Sequence, residues 1–254
     1  MKKIILTEEN IYRGNLILIN PGHPARNLSC PLSAADARYK DIKLQSHAAA
    51  ALSELVSSLK QLGFQDEIIP VSGYRTFSQQ SEIYQSSLSE NGREFTEKFV
   101  AIPGHSEHQS GLAIDLALKR NFIDFICPDF PAEGICGEFK RRAPSHGFIL
   151  RYPKDKEDIT CISHEPWHFR YVGTPHSRII RDKGLTLEEY VDFIAKHTKS
   201  QPFLYKDNLG TAEIFFLPLE DNKRTSLTLS ENSHFEISGN NADGFIVTVF
   251  HRVA

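Results

Sequence analysis

Residues 112–118, Leu-Ala-Ile-Asp-Leu-Ala-Leu, alternate without a break. Leu112, Ile114, Leu116 and Leu118 fall on one face of a strand, and Ala113, Asp115 and Ala117 on the other. Such a segment belongs in a sheet with an apolar core against its large-residue face. The opposite face carries one carboxylate between two alanines, and small neighbours leave room above the strand for other chemical groups.

The surrounding pattern supplies the rest of a sheet and its helices. Residues 16–19 (Leu-Ile-Leu-Ile) read as a short buried strand, and 67–71 and 168–172 read as further strands. Ala48, Leu52, Leu55, Val56, Leu59 and Leu62 recur at helical spacing and Gly63 follows as a stop, which predicts an amphipathic core helix. Thr76 with Gln79 three residues later forms a capping box and opens a helix carrying Phe77, Ile83, Tyr84 and Leu88. Tyr74 and Arg75 therefore lie in a tight strand-to-helix turn after Gly73. Thr186 and Glu189 open a further helix with Leu187, Tyr190, Val191 and Ile194 on its buried face. Beyond residue 200 short strands are expected at 212–218, 225–229, 234–238 and 245–252, separated by Asn-, Asp- and Gly-rich turns. The expected division is a main domain over 1–200 and a small β extension over 201–254 without catalytic residues, marginal by itself at that size and expected to dock on the main body or on a partner.

The chain has 254 residues, 40% hydrophobic and 24% charged, enough for a real core. Its net charge of −3 argues against a nucleic-acid partner. No apolar run approaches the roughly 18 residues of a membrane span. The N-terminal apolar run is cut by Glu8 and Glu9 too early for a signal peptide, so a cytoplasmic location is expected. The four cysteines, Cys30, Cys127, Cys136 and Cys161, form no C-x-x-C pair and read as reduced thiols.

Two segments could carry chemistry. In residues 106–115, Ser-Glu-His-Gln-Ser-Gly-Leu-Ala-Ile-Asp, a histidine sits on a loop before the Asp115 strand. His108 and Asp115 are suitable zinc ligands; a surface histidine and a salt-bridged aspartate are the plainer alternative for this stretch alone. In residues 163–168, Ser-His-Glu-Pro-Trp-His, positions 164–168 spell H-E-x-x-H. The metalloprotease helix that this motif describes requires a continuous helix. Pro166 removes a helix hydrogen bond and displaces Glu165 from helical geometry, so His164 is expected to be a bystander. Glu165 and His168 can still work from a kinked strand entry. Two histidines, an aspartate and a spare glutamate have the composition of a catalytic zinc site with a general base. Arg75 beside a helix start could hold a carboxylate or a developing oxyanion, although a lone arginine is more often in a surface ion pair. Ser57-Ser58-Leu59-Lys60 contains S-x-x-K, but it lies mid-helix with no S-D-N or K-T-G elsewhere and reads as helix surface.

Together, residues 72–76 (Ser-Gly-Tyr-Arg-Thr), S-x-H-x-x-G-x-A-x-D at Ser106–Asp115, and residues 165–168 (Glu-Pro-Trp-His) resemble the zinc D-Ala-D-Ala peptidases, the VanX, VanY and VanXY proteins of glycopeptide resistance. The likeness covers residues 15–198 and is closest to the VanXY type. It implies an α+β fold with a central antiparallel sheet flanked by helices, as in the lysostaphin and hedgehog group. It also implies one zinc ion per chain on His108, Asp115 and His168, Glu165 as catalytic base, and Arg75 at the scissile carbonyl. Ser106, Gln80, Ser72, Trp167 and Tyr84 would contact the substrate, a small peptide ending in D-Ala-D-Ala. Dipeptidases of this family tend to carry an aspartate where this chain has Ser72, and an aspartate can pair with a dipeptide's ammonium. Serine there leads to the expectation of a carboxypeptidase that favours longer precursors over the free dipeptide. The alternatives are an L-Ala-D-Glu cell-wall endopeptidase of the same fold and a zinc-bearing binding module without catalysis.

Overall fold

The computed structural model describes residues 1–26, 30–208 and 210–252, with Arg252 described for its backbone only. In chain order the elements are β1 (Lys2–Thr7), β2 (Leu32–Asp36), β3 (Tyr39–Gln45), α1 (Ser46–Lys60), β4 (Ile68–Ser72), α2 (Phe77–Phe99), β5 (Ala113–Leu118), α3 (Gly134–Arg142), β6 (Phe148–Leu150), the single turn α4 (Glu157–Thr160) and β7 (His168–Tyr171). There follow α5 (His176–Lys183), α6 (Leu187–Ala195), β8 (Phe203–Asp207), β9 (Gly210–Pro218), β10 (Arg224–Leu229), β11 (His234–Gly239) and β12 (Gly244–Arg252). The chain forms two compact units: Ile19–Thr186, and Met1–Leu18 together with Leu187–Ala254. A division at residue 200 was expected, but the first eighteen residues and α6 group with the C-terminal strands.

The larger unit is built on a four-stranded antiparallel sheet in the order β4-β5-β7-β6, with β2 and β3 as a separate hairpin. Helix α1 packs against that hairpin and α3. Its inward side chains Ala48, Leu52, Leu55 and Leu59 are buried, as their spacing required. Strand β5 is central and buries its large-residue face, with Leu112 and Ile114 fully enclosed and Leu116 nearly so. Register places Ile114 opposite Phe169 and Asp115 opposite His168. Neighbouring residues on a strand point to opposite faces. Phe169 therefore enters a core trio with Phe130 and Phe139, with ring centroids 4.8–5.6 Å apart, while His168 faces the other way beside Asp115. Each aromatic ring so buried stabilises the unit by about 1.5–3 kcal/mol. The core thus anchors the two strands that carry the polar row.

Helix α2 opens with the expected capping box: Thr76 Oγ1 accepts from Gln79 N (3.2 Å) and Gln79 Oε1 accepts from Thr76 N (2.8 Å). The helix is interrupted at Gly92, where φ is +79°. Its buried residues are polar: Gln80, Ser87 and Thr96. Phe77, at its first turn, is 59% exposed.

The second unit contains a four-stranded antiparallel sheet, β11-β12-β9-β8, and the antiparallel pair β1-β10. Phe215, Leu227, Leu229, Val247 and Val249 form one apolar cluster, and Leu6, Ile11 and Phe245 another. The segment 16–19 is buried, as its composition suggests, but it makes no strand. Leu16 N donates to Ser238 Oγ (2.9 Å), and Leu18 N to the Asn240 carbonyl (3.1 Å). The four cysteines are free thiols. Among the described residues no helix is long and apolar enough to cross a membrane.

Candidate metal centre and active site

Three strands and one turn bring the polar groups together. Register pairs Ser72 of β4 with Asp115 of β5, and Asp115 with His168 of β7, so the three lie in one row across the sheet. The chain enters β5 through a single 3-10 turn, Glu107–Ser110, which ends at Gly111 in the left-handed region (φ +70°). That turn carries His108 back over the row. Its ring is fixed from behind: Nδ1 lies 2.7 Å from the Gly73 carbonyl. A carbonyl only accepts, so Nδ1 carries the proton and the Nε2 lone pair points inward. Gly73 is itself pressed against β3, which its lack of a side chain permits. A Cβ there would stand 2.4 Å from the Lys43 carbonyl.

His108 Nε2 is 3.0 Å from Asp115 Oδ2, and His168 Nδ1 is 2.9 Å from Asp115 Oδ1. The two rings stand perpendicular with centroids 5.0 Å apart. One ligand atom from each of His108, Asp115 and His168 lies within 4.8 Å of the others, and all three residues are buried. A tetrahedral ion 2.0–2.2 Å from each donor sets donor atoms roughly 3.3–3.6 Å apart. Asp115 Oδ1 is enclosed and makes no hydrogen bond despite its closeness to His168. Donors that converge without satisfying one another fit a shared cation. Two imidazole nitrogens and a carboxylate oxygen are also a set that zinc accepts.

Electrostatics separates the groups. Burial would raise the Asp115 carboxyl, but His108 and His168 outweigh it and hold Asp115 well below the ordinary range. Burial lowers His108, and the positive charge of Arg75 lowers it further, which keeps this ring neutral. His168 goes the opposite way: burial lowers it, but Asp115 and Glu107 raise it more. Burial pushes Glu165 up to about 8 against the attraction of His168 and Arg75. A carboxyl poised near neutrality beside this row of donors is suited to accepting and returning a proton.

Glu165 is set by a tight turn in which its amide donates to the Tyr152 carbonyl and its carbonyl accepts from His168 N. Its Oε2 is 3.5 Å from His168 Nδ1. The stretch 164–167 is not helical, which agrees with rejection of the H-E-x-x-H helix. His164 Nδ1 points at the Tyr152 carbonyl instead. Arg75 presents a guanidinium held at each of its nitrogens: Nε donates to Ser72 Oγ (2.8 Å), Nη1 to Gln80 Oε1 (3.0 Å) and Nη2 to Asp115 Oδ2 (2.9 Å).

One cavity is lined by Arg75, Gln80, Ser106, Glu165 and Trp167 together with the His108, Asp115 and His168 triad. Ser72 sits behind Arg75 instead of on the wall. Tyr84 lines a neighbouring recess with Glu97 and His105, not this cavity. Sequence reasoning passed over Glu107, Arg151 and Arg170, which are buried beside the triad. Glu107 Oε1 accepts from Arg151 Nε (2.8 Å) and Arg170 Nη1 (2.6 Å). Burial would raise the Glu107 carboxyl, but the two guanidinium groups hold it far below its usual value. Their signal was faint: a charge flanking His108, and arginines inside strand-like apolar runs.

Fold and site together define a metallopeptidase. The family model for VanY, D-alanyl-D-alanine carboxypeptidase, matches residues 41–174, and the chain belongs to that family. It is 46% identical over 184 residues to the bifunctional D-Ala-D-Ala dipeptidase and D-Ala-D-Ala carboxypeptidase VanXYC of Enterococcus gallinarum, covering 71% of this chain and 95% of that protein. Among solved structures, the vancomycin resistance D,D-dipeptidase VanXYg in complex with a D-Ala-D-Ala phosphinate analog superposes with a TM-score of 0.95 at 47% identity. The match covers 98% of this chain and 99% of that one. A mutant of the D,D-pentapeptidase VanY from a VanB-type resistance cassette, in complex with Zn(II), matches 70% of this chain and 98% of its own. Its TM-score is 0.57 and its identity 31%.

Proposed function

We propose that this chain is a zinc-dependent D,D-carboxypeptidase that removes the C-terminal D-alanine from peptidoglycan precursors ending in D-Ala-D-Ala, and that it also hydrolyses the free dipeptide. The observation that carries this reading is the convergence of Glu165 and Arg75 on one cavity with the His108–Asp115–His168 triad. Similarity to an enzyme described as bifunctional supports both activities. Zinc on the triad would supply a Lewis acid and bring the pKa of a water to about 7. Glu165 takes a proton from the attacking water. The water oxygen joins the carbonyl carbon, the peptide C–N bond breaks, and Glu165 returns the proton to the departing amine of D-alanine. Arg75, held flat by Ser72, Gln80 and Asp115, offers its N–H groups to the negative charge that develops on the carbonyl oxygen. Ser106 and Gln80 line the place of the terminal D-alanine, and Trp167 closes the wall. In this reading the precursors are met in the cytoplasm before export, and loss of their D-Ala-D-Ala ends removes the group that vancomycin binds.

A preference for longer substrates draws support from the cleft. Ile83, Phe125 and Ile126 line both the reaction cavity and an open recess of about 520 Å³ beside α2. The recess leaves space for peptide upstream of the scissile bond. At position 72 the side chain is a hydroxyl turned to Arg75, with no carboxylate to hold a dipeptide's ammonium.

The test is D-alanine release from a muramyl pentapeptide and from D-Ala-D-Ala, with and without a chelator. Release from both substrates is expected, with the larger kcat/KM for the pentapeptide, and chelation should abolish it. Glu165→Ala should lose about 10²–10⁴-fold in kcat while retaining bound metal. Zinc binding without turnover in the unaltered protein would point to a binding module instead.

A further inference from the structure

Glu107 lies next to His108 in the turn Glu107–Ser110 and is fully enclosed. Its two carboxylate oxygens have different surroundings. Oε1 takes both guanidinium contacts, from Arg151 and Arg170. Oε2 makes no hydrogen bond and stands 3.6 Å from His168 Nε2, which is likewise buried and without a hydrogen bond. On the far side of the same ring, Nδ1 faces Asp115 Oδ1, a third enclosed atom with no hydrogen bond. The imidazole of His168 is thus suspended between two carboxylates, one from the turn and one from the ligand row. Buried polar atoms of this kind are rare and call for a partner.

The pairing has a direction. A carboxylate that already receives two guanidinium groups can only accept, so the group facing it on His168 must be N–H. With the proton on Nε2, the lone pair of Nδ1 is left for the ligand centre. We propose that Glu107 is a positioning residue for the metal centre: it fixes the His168 ring with Nε2–H toward its own Oε2 and the Nδ1 lone pair toward Asp115 and His108. Arg151 and Arg170 hold Glu107 in that pose. The two ligand histidines are then oriented by different means. His108 presents Nε2 because a backbone carbonyl takes its Nδ1 proton, and His168 presents Nδ1 because a buried side chain takes its Nε2 proton.

This inference rests on the reading of the triad as a zinc site, and the experiment keeps the two apart. Zinc affinity is measured by competition with a chromophoric chelator for the unaltered protein and for Glu107→Gln. Glutamine keeps the shape, but with its oxygen on the arginines its NH2 faces His168 and favours the wrong tautomer. A 10–100-fold loss of affinity is expected, the usual consequence of removing such a partner. Ring nitrogen shifts of His168 in the unaltered, zinc-loaded protein are read by 15N NMR, a measurement that needs no folded variant. Nε2 should be protonated and Nδ1 metal-bound. Unchanged affinity in a folded Glu107→Gln protein, or a ring bound through Nε2, overturns the proposal while leaving the zinc site intact. Absence of any zinc binding by the unaltered protein overturns the site itself.

Discussion

At the scale of single residues, Arg75 shows how a side chain becomes useful by being held in place. Its three nitrogens each meet a different acceptor, on β4, α2 and β5. This fork cannot be copied by an ammonium, which has no planar array of donors. Arg75→Lys is therefore expected to lower kcat by about 10²–10³-fold with a smaller change in KM, read from steady-state D-alanine release. Ser72 sits behind this fork. Ser72→Asp would set a second carboxylate against Arg75 and beside Asp115. It should lower kcat on both substrates while raising the ratio of dipeptide to pentapeptide hydrolysis, and an unchanged ratio in parallel assays would remove the argument from position 72. Residue type and spacing made His108, Asp115, Glu165 and His168 readable as one constellation. Glu107 was not readable in that way, because a glutamate beside a histidine is ordinary on a protein surface. Only its enclosure with Arg151 and Arg170 distinguishes it.

At the scale of elements, the junction from β4 to α2 is where local and distant structure meet. Thr76 and Gln79 cap the helix by purely local bonds, which is why the sequence announced it. Gly73, three positions before this cap, is constrained by a strand far upstream: the Tyr74 amide donates to the Lys43 carbonyl at 2.7 Å. Gly73→Ala forces that contact open and moves the carbonyl that holds His108. A stability loss of about 1–3 kcal/mol is expected, seen as a lower Tm, together with weaker zinc binding in the chelator assay. The buried positions of α2 follow no apolar period, because they do not face an apolar environment. Gln80 instead turns to Arg75 and to the Ala101 carbonyl, and Ser87 pairs with Thr96 at 2.7 Å. A helix wall that serves a polar cavity does not follow the rule for a helix that covers a core.

For the molecule as a whole, stability and pH are linked through a buried histidine. His176 at the start of α5 is buried, and burial lowers it to about 3. The folded chain thus keeps this ring neutral where the unfolded chain, near about 6.5, takes up a proton. Above about 6.5 the two states bind equally and pH has no effect through this group. As pH falls from there toward 3 the unfolded state gains protons first and stability is lost, approaching about 1.4 kcal/mol per pH unit for this residue. In metal-free protein His176→Gln should flatten that part of the curve of stability against pH, measured by denaturant unfolding between about pH 7 and 4.

The grouping of Met1–Leu18 with the C-terminal strands belongs to the same scale. Strand β1 pairs with β10 in register from Lys2↔Leu229 to Thr7↔Arg224. Nothing local in either segment identifies the other as its partner. Periodicity, caps and the spacing of chemically distinctive side chains act over a few residues, and by those alone this chain declared its central strand, its principal helices, its C-terminal β segments and the donor set of its candidate metal centre. Strand order, the Ser72–Asp115–His168 row, the enclosure of Glu107 between two arginines, and which face of α2 meets the cavity were decided only by tertiary structure. Each depends on contacts between segments far apart in the chain, and burial turns ordinary charged residues into a fixed and mutually dependent set.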